Sequence, residues 1–360
     1  MLHSGLDRHK RTLAISTVDA EGRPVRDVQL PTRREVITAY FAGLPGGPGA
    51  QRAVVESTSN WYWLRDLLGA QGVDLRLAHS KHVKAISYAK VKTGAVDAAT
   101  LAQLLRGDLV PEAHMVSAEW REARDLLRAR LQLVRQQVRV KNTVTGLLAQ
   151  YHVTDPDALP PLVQLRVRLL GEQFALLADR GKRLAAELNP VLVPTPDVQR
   201  LLWIPEIGRV VAFTIWLEVD GIGRFPSARD FVSYCRLVPG AGNSGGRTRH
   251  KRTKDGNRYL KLAFSHAAVR AIQYFPEIRT FYQRLARRTP PVVARAVVAK
   301  ELARIAYYVL AKEEAFNGTF KGTPLSRTKT PKWPRAGALP WPAPPSNGSR
   351  LSGAVHLRRL

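Results

Sequence analysis

Gly5-Leu6-Asp7, leading into the β-rich run Thr12-Leu13-Ala14-Ile15-Ser16-Thr17-Val18, decides how the first third of the chain folds. Residues 3–19 predict a strand hairpin, and Val25 to Leu30 offers a third strand after the Glu21-Gly22 turn. An amphipathic helix is expected over residues 34–44. The Gly/Pro loop 45–49 then leads into Ala53-Val54-Val55-Glu56, a short apolar run suited to a central strand and ending on a carboxylate. A Trp/Leu-rich helix near 60–69 and a strand over 74–78 follow. Lys92-Thr93-Gly94-Ala95-Val96-Asp97-Ala98-Ala99-Thr100-Leu101-Ala102 opens another helix, with Val96, Leu101, Leu104 and Leu105 at helical spacing and Asp97 in its first turn. This alternation of strands and helices predicts an α/β domain, with acids at element ends where such sheets place their sites.

Beyond it the pattern becomes helical. One long helix is expected over 117–151, with Leu127, Leu131, Val134, Val138 and Leu148 on alternating spacings of three and four that are interrupted by Lys141 and Thr145, and a second over 162–188. The pair suits an antiparallel hairpin, an intermolecular coiled coil, or two helices packed on the body of the protein. A third segment begins at Leu201-Leu202-Trp203-Ile204-Pro205-Glu206-Ile207-Gly208-Arg209, where two helices flank a tight Pro/Gly turn whose amides could face a phosphate. A short capped helix starts at Phe225-Pro226-Ser227 and ends near Cys235. Asp255-Gly256-Asn257 introduces a helix to about Gln273, and two more run to about Phe316. Residues 318–360, rich in Pro, Gly, Ser and cations, are expected to be a mostly disordered basic tail.

Composition narrows the function. The 360 residues carry 56 Lys+Arg against 29 Asp+Glu, a net +27, which points to nucleic acid before membranes or small acidic substrates. No apolar run approaches the ~18 residues of a membrane span, and Asp7 to Arg11 occupy the place of a signal peptide's apolar segment, so a cytoplasmic location is expected. The single cysteine, Cys235, reads as a buried core thiol.

Two groups of residues suit phosphate chemistry. Asn243-Ser244-Gly245-Gly246 runs directly into Arg247, Arg249, His250, Lys251, Arg252 and Lys254, with Arg258 and Lys261 on the next helix. Small neighbours let a phosphate approach the Ser244 hydroxyl and the cations hold it, although Ser-Gly-Gly is also a common turn. Asp7, Glu56 and Asp97 each stand at a strand or helix end of one domain. Carboxylates so placed can hold Mg²⁺ for phosphoryl transfer, and they also serve as ordinary helix caps and surface charges.

The combination of Gly5-Leu6-Asp7-Arg8-His9-Lys10, Val54-Val55-Glu56-Ser57-Thr58 with Asn60-Trp61-Tyr62, Lys92 to Ala98, and Phe225-Pro226-Ser227 through Leu237-Val238-Pro239 to Ser244-Gly245-Gly246 resembles the DEDD-type insertion-sequence transposases of the Piv-like, bridge-RNA-guided family. The resemblance covers nearly everything before the tail. It implies an RNase H-like (RuvC-like) catalytic domain over 1–112, a helical coiled-coil connection over 113–190, and a mainly helical transposase domain with a helix-hairpin-helix over 191–317. It also implies metal-binding catalytic acids at Asp7, Glu56 and Asp97, Mg²⁺ as the ion, and Ser244 as the nucleophile forming a phosphoserine link to DNA. The partners implied are DNA, a structured guide RNA, and further copies of the chain in a dimer or tetramer. Two positions depart from the family pattern. Lys-Thr-Asp-x-x-Asp reads Lys92-Thr93-Gly94-Ala95-Val96-Asp97, so one acid is missing, and the hairpin's Pro-Gly-Ile-Gly reads Pro205-Glu206-Ile207-Gly208, where Glu206 is expected to repel a phosphate. A structure-selective nuclease using water as nucleophile, or a nucleic-acid-binding remnant disabled at Gly94, are the rival functions.

Overall fold

The computed structural model describes residues 1–326 apart from 48, 58–60, 87–92, 245–246 and 252–254, and gives the backbone alone at 85, 241–244 and 247–251. The chain divides into two compact units, Met1–Val116 and Ser117–Leu360.

The first unit is built on a five-stranded sheet in the order β3-β2-β1-β4-β5. Strands β1 (Leu2–Arg8), β2 (Thr12–Val18) and β3 (Pro24–Pro31) form an antiparallel meander, and β4 (Gln51–Glu56) and β5 (Asp74–Ala78) continue from β1 in parallel. Parallel neighbours need crossover connections, here α1 (Arg34–Ala42) before β4 and α2 (Tyr62–Gly69) before β5. Side chains alternate across the strands and so feed two cores. Leu6, Ile15, Val55, Leu75 and Leu77 pack with Ile37, Phe41, Leu64 and Leu68 in one cluster that includes α1 and α2. Val54 and Ala78 meet Leu101 and Leu105 of α4 (Gly94–Arg106) and Val83 of α3 (Ser80–Ile86) in another. This three-layer α/β unit is consistent with the RNase H-like expectation.

The second unit is helical. After a single turn at Ala118–Trp120 come α5 (Arg121–Gln150) and α6 (Pro161–Val191), each ~45 Å long at 1.5 Å per residue. Leu127, early in α5, shares a core with Leu188, late in α6, while Val144 and Leu147 of α5 pack with Val167 of α6. The two helices therefore form an antiparallel hairpin within one chain. Val138, expected in the apolar stripe of α5, is exposed, because the buried face shifts to Val140, Val144 and Leu147 where α5 leaves the main core and follows α6.

Helices α7 (Pro196–Leu202), α8 (Arg209–Val219), α9 (Ala228–Tyr234), α10 (Arg258–Tyr274), α11 (Pro276–Ala286) and α12 (Pro291–Ala311) enclose one core containing Phe213, Phe231, Phe264 and Leu302. Cys235 lies within it, and burial pushes its thiol well above the ordinary range. The loop expected at Ser244 contains a two-stranded ribbon, β6 (Gly240–Ser244) with β7 (Arg247–Lys251).

The start of the expected tail is ordered. β8 (Thr319–Phe320) and β9 (Thr323–Pro324) pair, Phe320 is buried edge-to-face on Phe281, and the Ser326 amide donates to Glu277 at 3.0 Å. One aromatic anchor thus ties the segment to the body. The remainder, 327–360, lies outside the described residues. Among the described residues no helix is long and apolar enough to cross a membrane.

Candidate active site

Close approach of α4 to the sheet organises the acidic end of the first unit. A Cβ on Gly5 would lie 2.0 Å from the Ala98 carbonyl oxygen and 2.4 Å from the Ala102 amide nitrogen, so only glycine lets the helix sit directly on β1. Two residues along the strand from Gly5 is Asp7; one helical turn back from Ala98 is Gly94. Contact at the glycine therefore carries the first turn of α4 to the Asp7 carboxylate. A Cβ at position 94 would lie 2.8 Å from Asp7 Oδ2.

Glu56 is placed by strand register. Gly5 pairs with Val54 and Leu6 with Val55, and alternation puts Asp7 and Glu56 on the α4 face at the carboxyl ends of adjacent parallel strands. Asp97 lies in the first turn of α4, whose N-cap Thr93 accepts a hydrogen bond from the Val96 amide at 3.3 Å. Gly94 is helical and outside the left-handed region, since none of the chain's positive-φ glycines is at 94. His9 completes the group, its Nε2 standing 3.1 Å from Asp7 Oδ2. Among the described residues no three His, Cys, Asp or Glu side chains converge closely enough to hold a metal ion. Hard carboxylates on one face nonetheless suit a hard cation that completes its shell with water and phosphate.

In the second unit, antiparallel pairing sets Ser244 opposite Arg247, Gly242 opposite Arg249 and Gly240 opposite Lys251. Cross-strand partners share a face, so positions 244, 247, 249 and 251 fall on one side of the ribbon, with glycine the register partner of positions 249 and 251. Arg252 and Lys254 lie outside the described residues. Arg258 opens α10, exposed and bonded through Nη2 to the Tyr259 hydroxyl at 2.9 Å, and Lys261 follows one turn later, half-buried.

The sequence marked Asn257 as a helix start but gave no signal for the buried partners that fix it. Asn257 caps α10, accepting from the Tyr259 and Leu260 amides at 2.8 and 3.1 Å, and its Nδ2 donates to Glu218 at 2.6 Å. Glu218 is buried in α8 and also receives Arg128 of α5 through Nε and Nη2 at 2.6 and 2.7 Å. Gly256, at φ 151°, leaves no room for a Cβ, which would sit 2.4 Å from the Tyr234 carbonyl oxygen. Helices α5, α8 and α10 thus meet at one buried carboxylate.

The turn between α7 and α8 corrects the expectation for Glu206. Its backbone is left-handed at φ 58°, the conformation that favours glycine, and its side chain is turned inward to accept from Arg270 Nε at 2.9 Å. The carboxylate, only 7% exposed, is held by a cation. It does not project as a bare charge toward an incoming phosphate.

An acid-edged α/β unit and a helical unit with a cationic ribbon suit phosphoryl-transfer chemistry on DNA, the work of the transposase class. Two sequence profiles agree: a DEDD transposase profile matches residues 4–153, and that of the transposase IS116/IS110/IS902 family matches residues 198–283. The chain belongs to the IS110-type DEDD transposases. A probable family 20 transposase of Pseudomonas aeruginosa is 27% identical over 337 residues, 87% of this chain and 97% of that protein. The transposase of insertion sequence IS1328 from Yersinia enterocolitica is 28% identical over 232 residues, 58% of this chain and 69% of the relative. The corresponding protein for IS1111A from Coxiella burnetii is 25% identical over 227 residues, 58% and 62% of the two chains. DNA is therefore the substrate, and DEDD membership implies dependence on a divalent metal.

Proposed function

We propose that this transposase cuts and rejoins DNA through a covalent phosphoserine at Ser244, with Asp7, Glu56 and Asp97 of a RuvC-like domain as its metal-binding acids and Mg²⁺ as the ion. The observation that carries the reading is the register placing Asp7 and Glu56 side by side on the α4 face, with the first turn of α4 against Asp7. When bound, a hard divalent cation supplies Lewis-acid stabilisation of charge on the phosphate.

Ser244 Oγ forms the bond to phosphorus as one P–O bond of the DNA breaks; the serine proton is lost to a base and the departing oxygen is protonated to a hydroxyl. The reverse attack by a DNA hydroxyl releases the serine and seals the new strand. Arg247, Arg249 and Lys251, with Arg252, Lys254, Arg258 and Lys261 nearby in sequence, hold the backbone without reading bases. Base choice then falls to a structured guide RNA, paired with DNA and bound through its shape. The acids and Ser244 belong to different units, so the reaction needs both at one phosphate, and a homodimer or tetramer supplies several copies of each.

Trapping on a nicked suicide DNA tests the nucleophile. Ser244→Ala should abolish the covalent protein–DNA adduct and leave DNA affinity within about twofold, because one hydroxyl adds little to a charge-dominated interface. An adduct persisting in the alanine variant overturns the assignment, and strand cleavage persisting without any adduct favours the nuclease that uses water. The binding-only alternative draws on Gly94 and on the absence of a converged acidic triad among the described residues; it predicts neither adduct nor cleavage with any divalent ion.

A further inference from the structure

We propose that His9 is a metal ligand in this chain, sharing with Asp7 the coordination that position 94 does not supply. The inference rests on the reading of Asp7 as a metal-binding acid and adds a nitrogen donor to the set.

Two features converge on one oxygen, and a third fixes the residue that approaches it. His9 Nε2 lies 3.1 Å from Asp7 Oδ2. Two donors bound at ~2.1 Å and at right angles on an octahedral ion stand about 3.0 Å apart, so this spacing, which also fits a direct hydrogen bond, is compatible with two adjacent ligands. The same Oδ2 is the atom that a Cβ at 94 would approach to 2.8 Å, so the carboxylate is seated over the one residue of α4 that has no side chain to offer. His9 also has a fixed backbone: its amide donates to the Thr12 carbonyl at 2.9 Å and its carbonyl accepts from Thr32 Oγ1 at 3.2 Å. The imidazole itself is 66% exposed, leaving the outer face of such a site open to water and phosphate.

Donor chemistry then makes a distinguishing statement. An all-carboxylate set suits Mg²⁺, whereas an imidazole raises affinity for Mn²⁺ and Co²⁺ relative to Mg²⁺. The chain should therefore prefer Mn²⁺ to Mg²⁺ more strongly than its carboxylates alone dictate.

Pulsed electron paramagnetic resonance of Mn²⁺ bound to the full-length, tag-free protein tests this without any turnover. The expected spectrum carries ¹⁴N modulation from a directly bound imidazole. It should vanish in His9→Ala, where Mn²⁺ affinity falls at least tenfold and Mg²⁺ affinity falls less. His9→Gln can keep a hydrogen bond to Asp7 but offers no imidazole, so Mn²⁺ affinity restored to the parent value in that variant overturns the proposal in favour of a positioning role. Bound Mn²⁺ without nitrogen coupling, or coupling that survives His9→Ala, also overturns it while leaving the acidic site standing. Mn²⁺ that fails to bind the parent, or binds unchanged in Asp7→Asn, overturns the acidic site and this inference together.

Discussion

Restoring a carboxylate at position 94 separates a metal site from a mere group of surface acids, because the sign of its effect depends on the ion. In Gly94→Asp the new Cβ meets Asp7 Oδ2 at 2.8 Å, so the Asp7 carboxylate must withdraw by about half an ångström to reach ordinary contact. It can do so, being the tip of a side chain. The two carboxylates then stand ~5 Å apart. At an effective dielectric of ~20 to 80 their repulsion is roughly 1–3 kcal/mol, and partial exposure of Asp7 places it toward the lower end. Two effects oppose it: an acid in the first helical turn contributes ~0.3–1 kcal/mol, and replacing a helical glycine contributes ~0.5 kcal/mol. Without metal the variant should be equal to the parent or less stable by about 1 kcal/mol. With Mg²⁺ the order reverses, since a tenfold tighter site adds ~1.4 kcal/mol at saturation, or ~4 °C in a domain of this size. Thermal melting of both proteins with chelator and with saturating Mg²⁺ reads the difference directly. An equal Mg²⁺-induced shift in the two proteins would refute the placement of position 94 at a metal site.

Other outcomes follow from the same geometry. Glu218→Ala removes three hydrogen bonds at a buried carboxylate and takes its bidentate partner from Arg128, so urea denaturation should show a loss of about 3 kcal/mol, with a smaller loss in Glu218→Gln. Replacing Arg247, Arg249 and Lys251 with glutamine should weaken binding to all DNA sequences alike and flatten the log–log salt slope by ~0.7–0.9 per lost phosphate contact; an unchanged slope means that face of the ribbon does not meet the backbone. His3 is buried in β1, and burial first, then Arg52 and the amino terminus, hold its imidazole below the ordinary range. Its neutral form belongs to the folded state, so its contribution to stability is present above pH ~6.5 and is lost as the pH falls through the lowered value. Stability measured from pH 7.5 to 5 should decline less steeply in His3→Phe.

The sheet was legible because its signals are local. The β-rich run Thr12 to Val18, the apolar run before Glu56 and the strand at Asp74 to Ala78 each specify an element from a few neighbouring residues. What brings those elements together was less legible. Gly5 reads as a strand leader, yet its consequence is the seating of α4, because the missing Cβ matters only once Ala98 and Ala102 arrive from nearly a hundred positions away. Glu218, Arg128 and Asn257 are likewise ordinary helix and turn residues until packing removes them from water together. Phe320 was lost in a segment whose composition argued for disorder, since one aromatic anchor changes composition little and burial a great deal.

The two departures from the family pattern show why a sequence difference needs its surroundings before it carries a functional meaning. At the α7–α8 turn, glutamate stands where glycine is usual, and the backbone keeps the left-handed conformation that glycine favours. Holding a non-glycine residue there costs of order 1 kcal/mol, and the bond from Arg270 offsets part of it while also neutralising the new charge. That change is absorbed within the turn. At position 94 the reverse holds: glycine in place of an acid fits the helix without strain, but no side chain from α4 reaches toward Asp7 there, and the neighbour on that oxygen is an imidazole. A substitution that perturbs the backbone can therefore leave the chemistry alone, while one that the backbone accepts freely can change which ion a site prefers.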